Sequence, residues 1–417
     1  MKVIINSDNF FIIKILFNMW TILTIFMFVL SIFVSKKIKY RNYKLGINEL
    51  FSKDKTSLFL TLGTKVGVGS IIGTTVCVIV GGFGSIIWII LFSLLMSSIC
   101  YYESYLGKKY RMKNDDNFIG GPYFILKYGT NSKILALFSC ILLIIVYCFF
   151  FQMIQLNTIS NIIILNTNIN KSIIIGCVIL ILLITIDLSI DSVLKLMNKV
   201  VPIMCFIFVI MCFYSIFKNI NTLILSFKYN FDDIFSIKSI LSGMVIGVKR
   251  SIFMNEILVG TTSVSSATDK NDSDICMRYQ VLGMYFISFV ITLLISSLLL
   301  IYLYNGNIMD DYILLINSVF YMTSGRLGVY FLIITFTLFG FTTILSGYYI
   351  GKNYIEYLTG SKVLLSIFKI LFIIVCLLGI VIDNSIIWKY LDYLLFIMII
   401  INSYSIIKLL GSEKYDR

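Results

Sequence analysis

The sequence predicts an all-α polytopic membrane protein of about eleven transmembrane helices, a leading helix followed by a 5+5 inverted repeat with two discontinuous helices. Three observations carry the prediction. The 417-residue chain is 59% hydrophobic and 13% charged, whereas a soluble domain carries roughly 45–50% apolar and ~25% charged residues. Apolar runs long enough to cross a bilayer recur from end to end, and the basic residues between them gather in alternate connections. Two of the runs, five apart in order, are interrupted by glycine and charge.

The runs are 10–35, 58–80, 84–102, 133–160, 172–187, 200–218, 238–262, 279–304, 326–348, 363–382 and 388–410, each near the ~20 residues that a span requires. The first follows Lys2 and Asp8 and continues to Val34. That is too long for the apolar core of a cleaved leader, so it is expected to remain as a helix. The weaker amphipathic segment 312–324 is expected to be an extracellular helix before the ninth span. Of the 34 Lys and Arg, 22 fall on one side of the alternation and 8 on the other. Lys65, Lys249, Arg250 and Lys369 fall within spans. The positive-inside rule then places the N-terminus outside and the C-terminus in the cytoplasm. Net charge is +13, which on this reading is loop charge beside lipid and not a nucleic-acid footprint. The division is 1–57 (extracellular N-terminus, leading helix, basic cytoplasmic loop), 58–236 (first five-helix repeat), 237–410 (second repeat) and 411–417 (cytoplasmic tail).

The chain has no histidine. A Ser-His hydrolase and a His-ligated metal or haem site are thereby excluded, and Gly69-Ser70 has no base to make it a nucleophile. The nine cysteines contain no C-x-x-C pair and read as small packing residues. No cofactor and no enzymatic activity are expected.

The second run reads Gly63-Thr64-Lys65-Val66-Gly67-Val68-Gly69-Ser70-Ile71-Ile72-Gly73, and the seventh carries Gly243, Gly247, Lys249, Arg250, Asn255, Glu256 and Gly260. Each interior Gly costs a helix about 1 kcal/mol relative to Ala, and clustered glycines at membrane depth are tolerated where unwound backbone lines a cavity. The two runs cross in opposite directions, the pattern of an inverted repeat whose halves each open with a broken helix. Half-helix N-termini then face an anionic substrate group and freed carbonyls face a cation. A secondary transporter with a site near the midplane is the expected function.

At these residues the chain resembles the alanine/glycine:cation symporter family, sodium-coupled carriers of small neutral amino acids with the leucine-transporter-type fold. The family's G-x-G-N-I-A-G and G-G-P-G-A-I-x-W are similar to Gly67–Gly73 and Gly81–Trp88. Its cytoplasmic K-Y-x-E, K-Y-R and G-G-P are similar to Tyr101-Tyr102-Glu103, Lys109-Tyr110-Arg111 and Gly120-Gly121-Pro122. Its G-x-x-R-G-I-F-S-N-E-A-G-L-G is matched by Gly247, Arg250, Ile252, Phe253, Asn255, Glu256 and Gly260, and its F-S-T-I-L-G-W-x-Y-Y-G by Phe341–Gly351. Departures cluster where a substrate would sit. Ser70 replaces Asn, Ser251 replaces Gly, Ile257-Leu258 replace Ala-Gly, Ser263 replaces Pro and Gly347 replaces Trp. One methylene in such a pocket shifts discrimination by about 1–3 kcal/mol.

The resemblance implies sodium-coupled symport of a small neutral, alanine- or glycine-like amino acid by alternating access in the cell membrane of a bacterial cell. An altered substrate, proton coupling, or a non-transporting sensor is the alternative. Sodium, a hard cation, is expected among the carbonyls of Val66 and Gly69 and the hydroxyls of Thr342 and Thr343; both hydroxyls could instead bond back into their own helix. The substrate carboxylate is expected at the N–H groups of Gly69, Ile71 and Gly73, with Ser70 beside them. The α-amino group is expected at carbonyls from Gly247 to Ser251, with Arg250, Asn255, Ser346 and Gly347 completing the pocket. Glu256 is expected either to couple or gate, or to pair with Arg250, and Glu103 to be a solvated gate or loop charge at a helix end.

Overall fold

A computed structural model describes residues 19–38, 61–63, 65–114, 117–167, 169–185, 190–269, 273–306, 309 and 311–412. Most of the expected segment 1–57, and the tail beyond 412, lie outside the described residues.

Among the described residues, every predicted run contains helix. In chain order the helices are α1 (Met19–Lys37), α2 (Val68–Gly81), α3 (Gly84–Lys109), α4 (Lys133–Asn166), α5 (Lys171–Thr185) and α6 (Ile190–Lys218). There follow α7 (Ile220–Phe235), α8 (Ile237–Asn255), α9 (Thr261–Thr268), α10 (Asp274–Tyr304), α11 (Tyr312–Thr359), α12 (Lys362–Val381) and α13 (Asn384–Ser412). Among the described residues, eight helices are long and apolar enough to cross a membrane, and α2 and the apolar part of α5 are shorter. The chain is a multi-pass, all-α membrane protein. A two-stranded antiparallel hairpin, β1 (Met112–Asn114) with β2 (Asn117–Ile119), pairs Met112 with Ile119.

The structure adds elements that hydropathy did not mark. Helix α7 is amphipathic and occupies the connection before the seventh run. The 312–324 segment is helical, as expected, and is separated from the helix of the ninth span by one non-helical residue, Gly325 (φ 67, ψ −155). Glycine tolerates that conformation at little cost, so the chain turns without a loop.

Both glycine-bearing runs are discontinuous. Before α2, Val66 is non-helical and Gly67 is extended (φ −118, ψ 178). Between α8 and α9 the chain turns through Glu256 and Leu258, both left-handed at φ 54 and φ 59, and Gly260 at φ 103. The glycines within α8 serve another purpose. A β-carbon at Gly243 would stand 2.5 Å from the Ser85 nitrogen, and one at Gly247 would stand 2.6 Å from the Ser85 carbonyl oxygen. Small residues let α8 lie directly on the backbone of α3, the usual means of close helix packing in lipid.

Candidate functional site

The site forms where the two breaks meet. The N-terminus of α2 exposes backbone N–H groups with no intrahelical acceptor. One of them, Val68 N–H, donates to Gln155 Oε1 of α4 at 3.0 Å. Ser70 turns its hydroxyl back onto the Gly67 carbonyl at 2.8 Å, closing the first turn. A β-carbon at Gly67 would stand 2.9 Å from both Gln155 Nε2 and Thr343 Oγ1. Glycine here is therefore a matter of space, since its extended backbone is open to any residue. At Gly69 the added carbon would lie 2.5 Å from the Phe253 ring.

These residues enclose a small cavity of ≈ 10 Å³, about the room of one water. The first break contributes Lys65, Gly67, Gly69 and Ser70 to its wall, α4 contributes Phe151 and Gln155, and α11 contributes Thr343. The second break contributes Phe253, Met254 and Glu256. Phe151 and Phe253 pack ring against ring, centroids 4.6 Å apart. Lys65 is buried, with Nζ 3.9 Å from Cys100 Sγ.

The second break is braced by acids. Glu256 accepts from the Thr261 hydroxyl, while its carbonyl accepts from Thr262 Oγ1 at 3.3 Å. Leu258 N–H donates to Glu103 Oε2 at 3.0 Å, and the Leu258 carbonyl accepts from Asn402 Nδ2 at 2.6 Å. A left-handed non-glycine residue costs of order 1–3 kcal/mol and persists where its surroundings over-determine it. Both bonds at Leu258 supply that determination.

Three expectations are corrected here. Glu103 is no solvated loop charge: it is 3% exposed, because α3 continues to Lys109, past the predicted end at 102, and carries Glu103 beneath the second break. Arg250 does not pair with Glu256. Its Nη2 reaches both oxygens of Asp392 on α13 at 3.0 and 3.1 Å, with Lys249 3.3 Å from the same carboxylate. The six-residue separation puts Arg250 and Glu256 on different faces of a helix, and α8 ends between them. The carbonyls from Gly247 to Ser251 lie within unbroken α8, which runs to Asn255, so helical bonding occupies them. The break comes one turn later, where the left-handed residues stand.

The remaining expected residues divide between cavity and packing. Val66 is at the first break. Ile71 is buried beyond the cavity lining, and Gly73 faces Met254, whose Sδ would be 3.1 Å from an added β-carbon. Ser251 and Asn255 bond to one another at 3.1 Å, and Asn255 Nδ2 also donates to Ser288 Oγ on α10 at 2.9 Å. Thr342 and Thr343 both donate to the Phe339 carbonyl, at 3.0 and 2.9 Å. Thr343 lines the cavity while Thr342 faces Met204. Ser346 and Gly347 lie one turn along α11 from Thr343. Gln155, Phe151 and Asp392 were not anticipated. Amides within an apolar span, and a carboxylate within the last run, were the signals that mark them.

The chain matches the model of the sodium:alanine symporter family over residues 2–414. It is 24% identical to the amino-acid carrier protein AlsT of Bacillus subtilis, over 86% of this chain and 78% of that one. It is 25% identical to "Probable sodium/glutamine symporter GlnT" of the same organism, over 84% and 76%. Likeness to the sodium/alanine symporter AgcS of Methanococcus maripaludis is 24%, over 85% and 81%.

Proposed function

We propose, because the chain belongs to the sodium:alanine symporter family, that it carries a small neutral amino acid across the membrane together with sodium, by alternating access. The observation that carries this reading is the asymmetry of the two breaks around one cavity. The α2 N-terminus offers donors and a positive dipole end to a neutral amide, Gln155. An entering carboxylate, a stronger acceptor, displaces that amide and takes its N–H. The second break presents Glu256 to the same space, which favours a cation there. In this reading the ammonium group lies toward Glu256. Sodium lies toward Val66, Gly69 and Thr343.

Relatives named for alanine and for glutamine are equally distant, so the substrate follows from the pocket and not from likeness. The cavity, at about the size of one water, is smaller than any amino acid. In this reading, loading moves the α2 end of the site aside, as alternating access describes. The basic excess supports an N-terminus outside and a C-terminus in the cytoplasm, and this reading takes 58–236 and 237–410 as the two inverted halves.

The test is radiolabelled alanine, serine and glutamine uptake into proteoliposomes holding the full chain, with and without an inward sodium gradient. Accumulation driven by sodium is expected. Accumulation that ignores sodium and follows an imposed proton gradient would transfer the coupling to the buried carboxylates.

A further inference from the structure

One turn from the cavity, in the seam between α4 and α11, stands a second polar group, which joins Ser346 and Gly347, expected beside the substrate, to Tyr147 and Gln152, which were not. Phe151, Gln155 and Thr343 line the cavity. A helical turn further along each helix, about 5.4 Å, lie Tyr147 and Gln152 on α4 and Ser346 and Gly347 on α11. The Tyr147 hydroxyl is 3.3 Å from Ser346 Oγ. Gln152 is fully buried; its Nε2 donates to the Tyr147 carbonyl at 2.8 Å, and its Oε1 has no hydrogen-bond partner. Gly347 makes the arrangement possible, because a β-carbon there would overlap Gln152 Nε2. The group adjoins the cavity wall: the Tyr147 and Phe151 ring centroids are 5.4 Å apart.

A buried carbonyl oxygen without a donor is costly and uncommon in folded proteins. Its neighbours here are hydroxyls and an amide, groups that select by hydrogen bonding and not by bulk. We propose that Tyr147, Gln152 and Ser346, with Gly347 leaving space for the Gln152 amide, form the subsite for the substrate's side chain, and that the substrate is a neutral amino acid whose side chain carries a hydroxyl or amide donor. The proposal rests on the amino-acid symport reading and narrows it. Gln152 Oε1 accepts the donor, and the Tyr147 and Ser346 hydroxyls hold the polar end of the side chain. A substrate of the same shape without the donor leaves Oε1 unpaired, and a site built to bond such a group discriminates strongly against the analogue lacking it.

The experiment is competition for sodium-driven serine uptake in proteoliposomes by matched pairs, serine against alanine and threonine against valine. The donor-bearing member of each pair is expected to compete at least about tenfold better. The Q152L variant is expected to bring both ratios close to one, with folding verified by size-exclusion chromatography. Should Q152L not fold, the wild-type ratios decide the matter alone. Equal competition by alanine and serine, and by valine and threonine, with uptake still driven by sodium, would overturn the subsite and leave symport standing. A folded Q152L that keeps the wild-type ratios would also overturn it. A donor preference that persists without any dependence on sodium would keep the subsite and remove the coupling.

Discussion

The two helix breaks face one cavity but are built in opposite ways. At the first, glycine supplies the extended residue, the α2 N-terminus meets a neutral amide, and no acid among the described residues is bonded to it. At the second, two non-glycine residues adopt left-handed backbone, and Glu103 and Glu256 bond the turn from either side. A break made with glycine and an amide is inexpensive to rearrange. A break made with strained residues and buried carboxylates is held in one conformation by its neighbours. On the proposed reading, the exchangeable ligand belongs to the first break and the acid-braced, fixed turn to the second.

The strongest way to break the contrast is to remove the brace. Glu103→Ala leaves the Leu258 N–H buried and unbonded in a left-handed turn, and is expected to cost about 2–3 kcal/mol. Denaturant unfolding in detergent, followed by tryptophan fluorescence, measures it. A second substitution makes the first break resemble the second. Gln155→Glu sets a carboxylate against Val68 N–H, in competition with the substrate's own, and is expected to raise the KM for uptake about tenfold or more, with little change in unfolding. Kinetics in proteoliposomes check this, and an unchanged KM would argue that the α2 N-terminus does not receive the substrate.

Smaller effects sharpen the comparison. Leu258→Gly and Leu258→Ala remove the same buried packing, but only glycine relieves the positive φ. The glycine variant is expected to be about 1 kcal/mol the more stable, the reverse of the usual order. Last, Thr343→Ala is expected to raise the sodium concentration for half-maximal uptake several-fold, and Thr342→Ala to move it less, since only Thr343 lines the cavity. A sodium titration of initial uptake rates separates the two.

Much of the architecture was legible in the residues. Apolar runs located the helices, and Gly67 and Gly69 located the first break, because lipid demands internally bonded backbone and glycine marks where that demand is relaxed. The second break was legible only as a region. Its glycines at 243 and 247 turned out to be packing contacts against α3, while Glu256 and Leu258, residues with no propensity for the purpose, make the turn. Helix ends set by hydropathy fell short as well, which hid Glu103: an apolar average stops at the first charges, whereas a helix carries on as long as a neighbour receives them.

The sequence by itself determined that this is a multi-pass helical membrane protein of the sodium:alanine symporter family, since hydropathy and motif order are properties of the chain. Partnership was decided only by the tertiary structure. Arg250 pairs with Asp392, 142 positions away, and Val68 bonds Gln155, 87 positions away. In a bilayer every buried charge and every freed backbone group must find a partner. Which partner it finds depends on the helices that packing brings alongside, and no spacing along the chain encodes that.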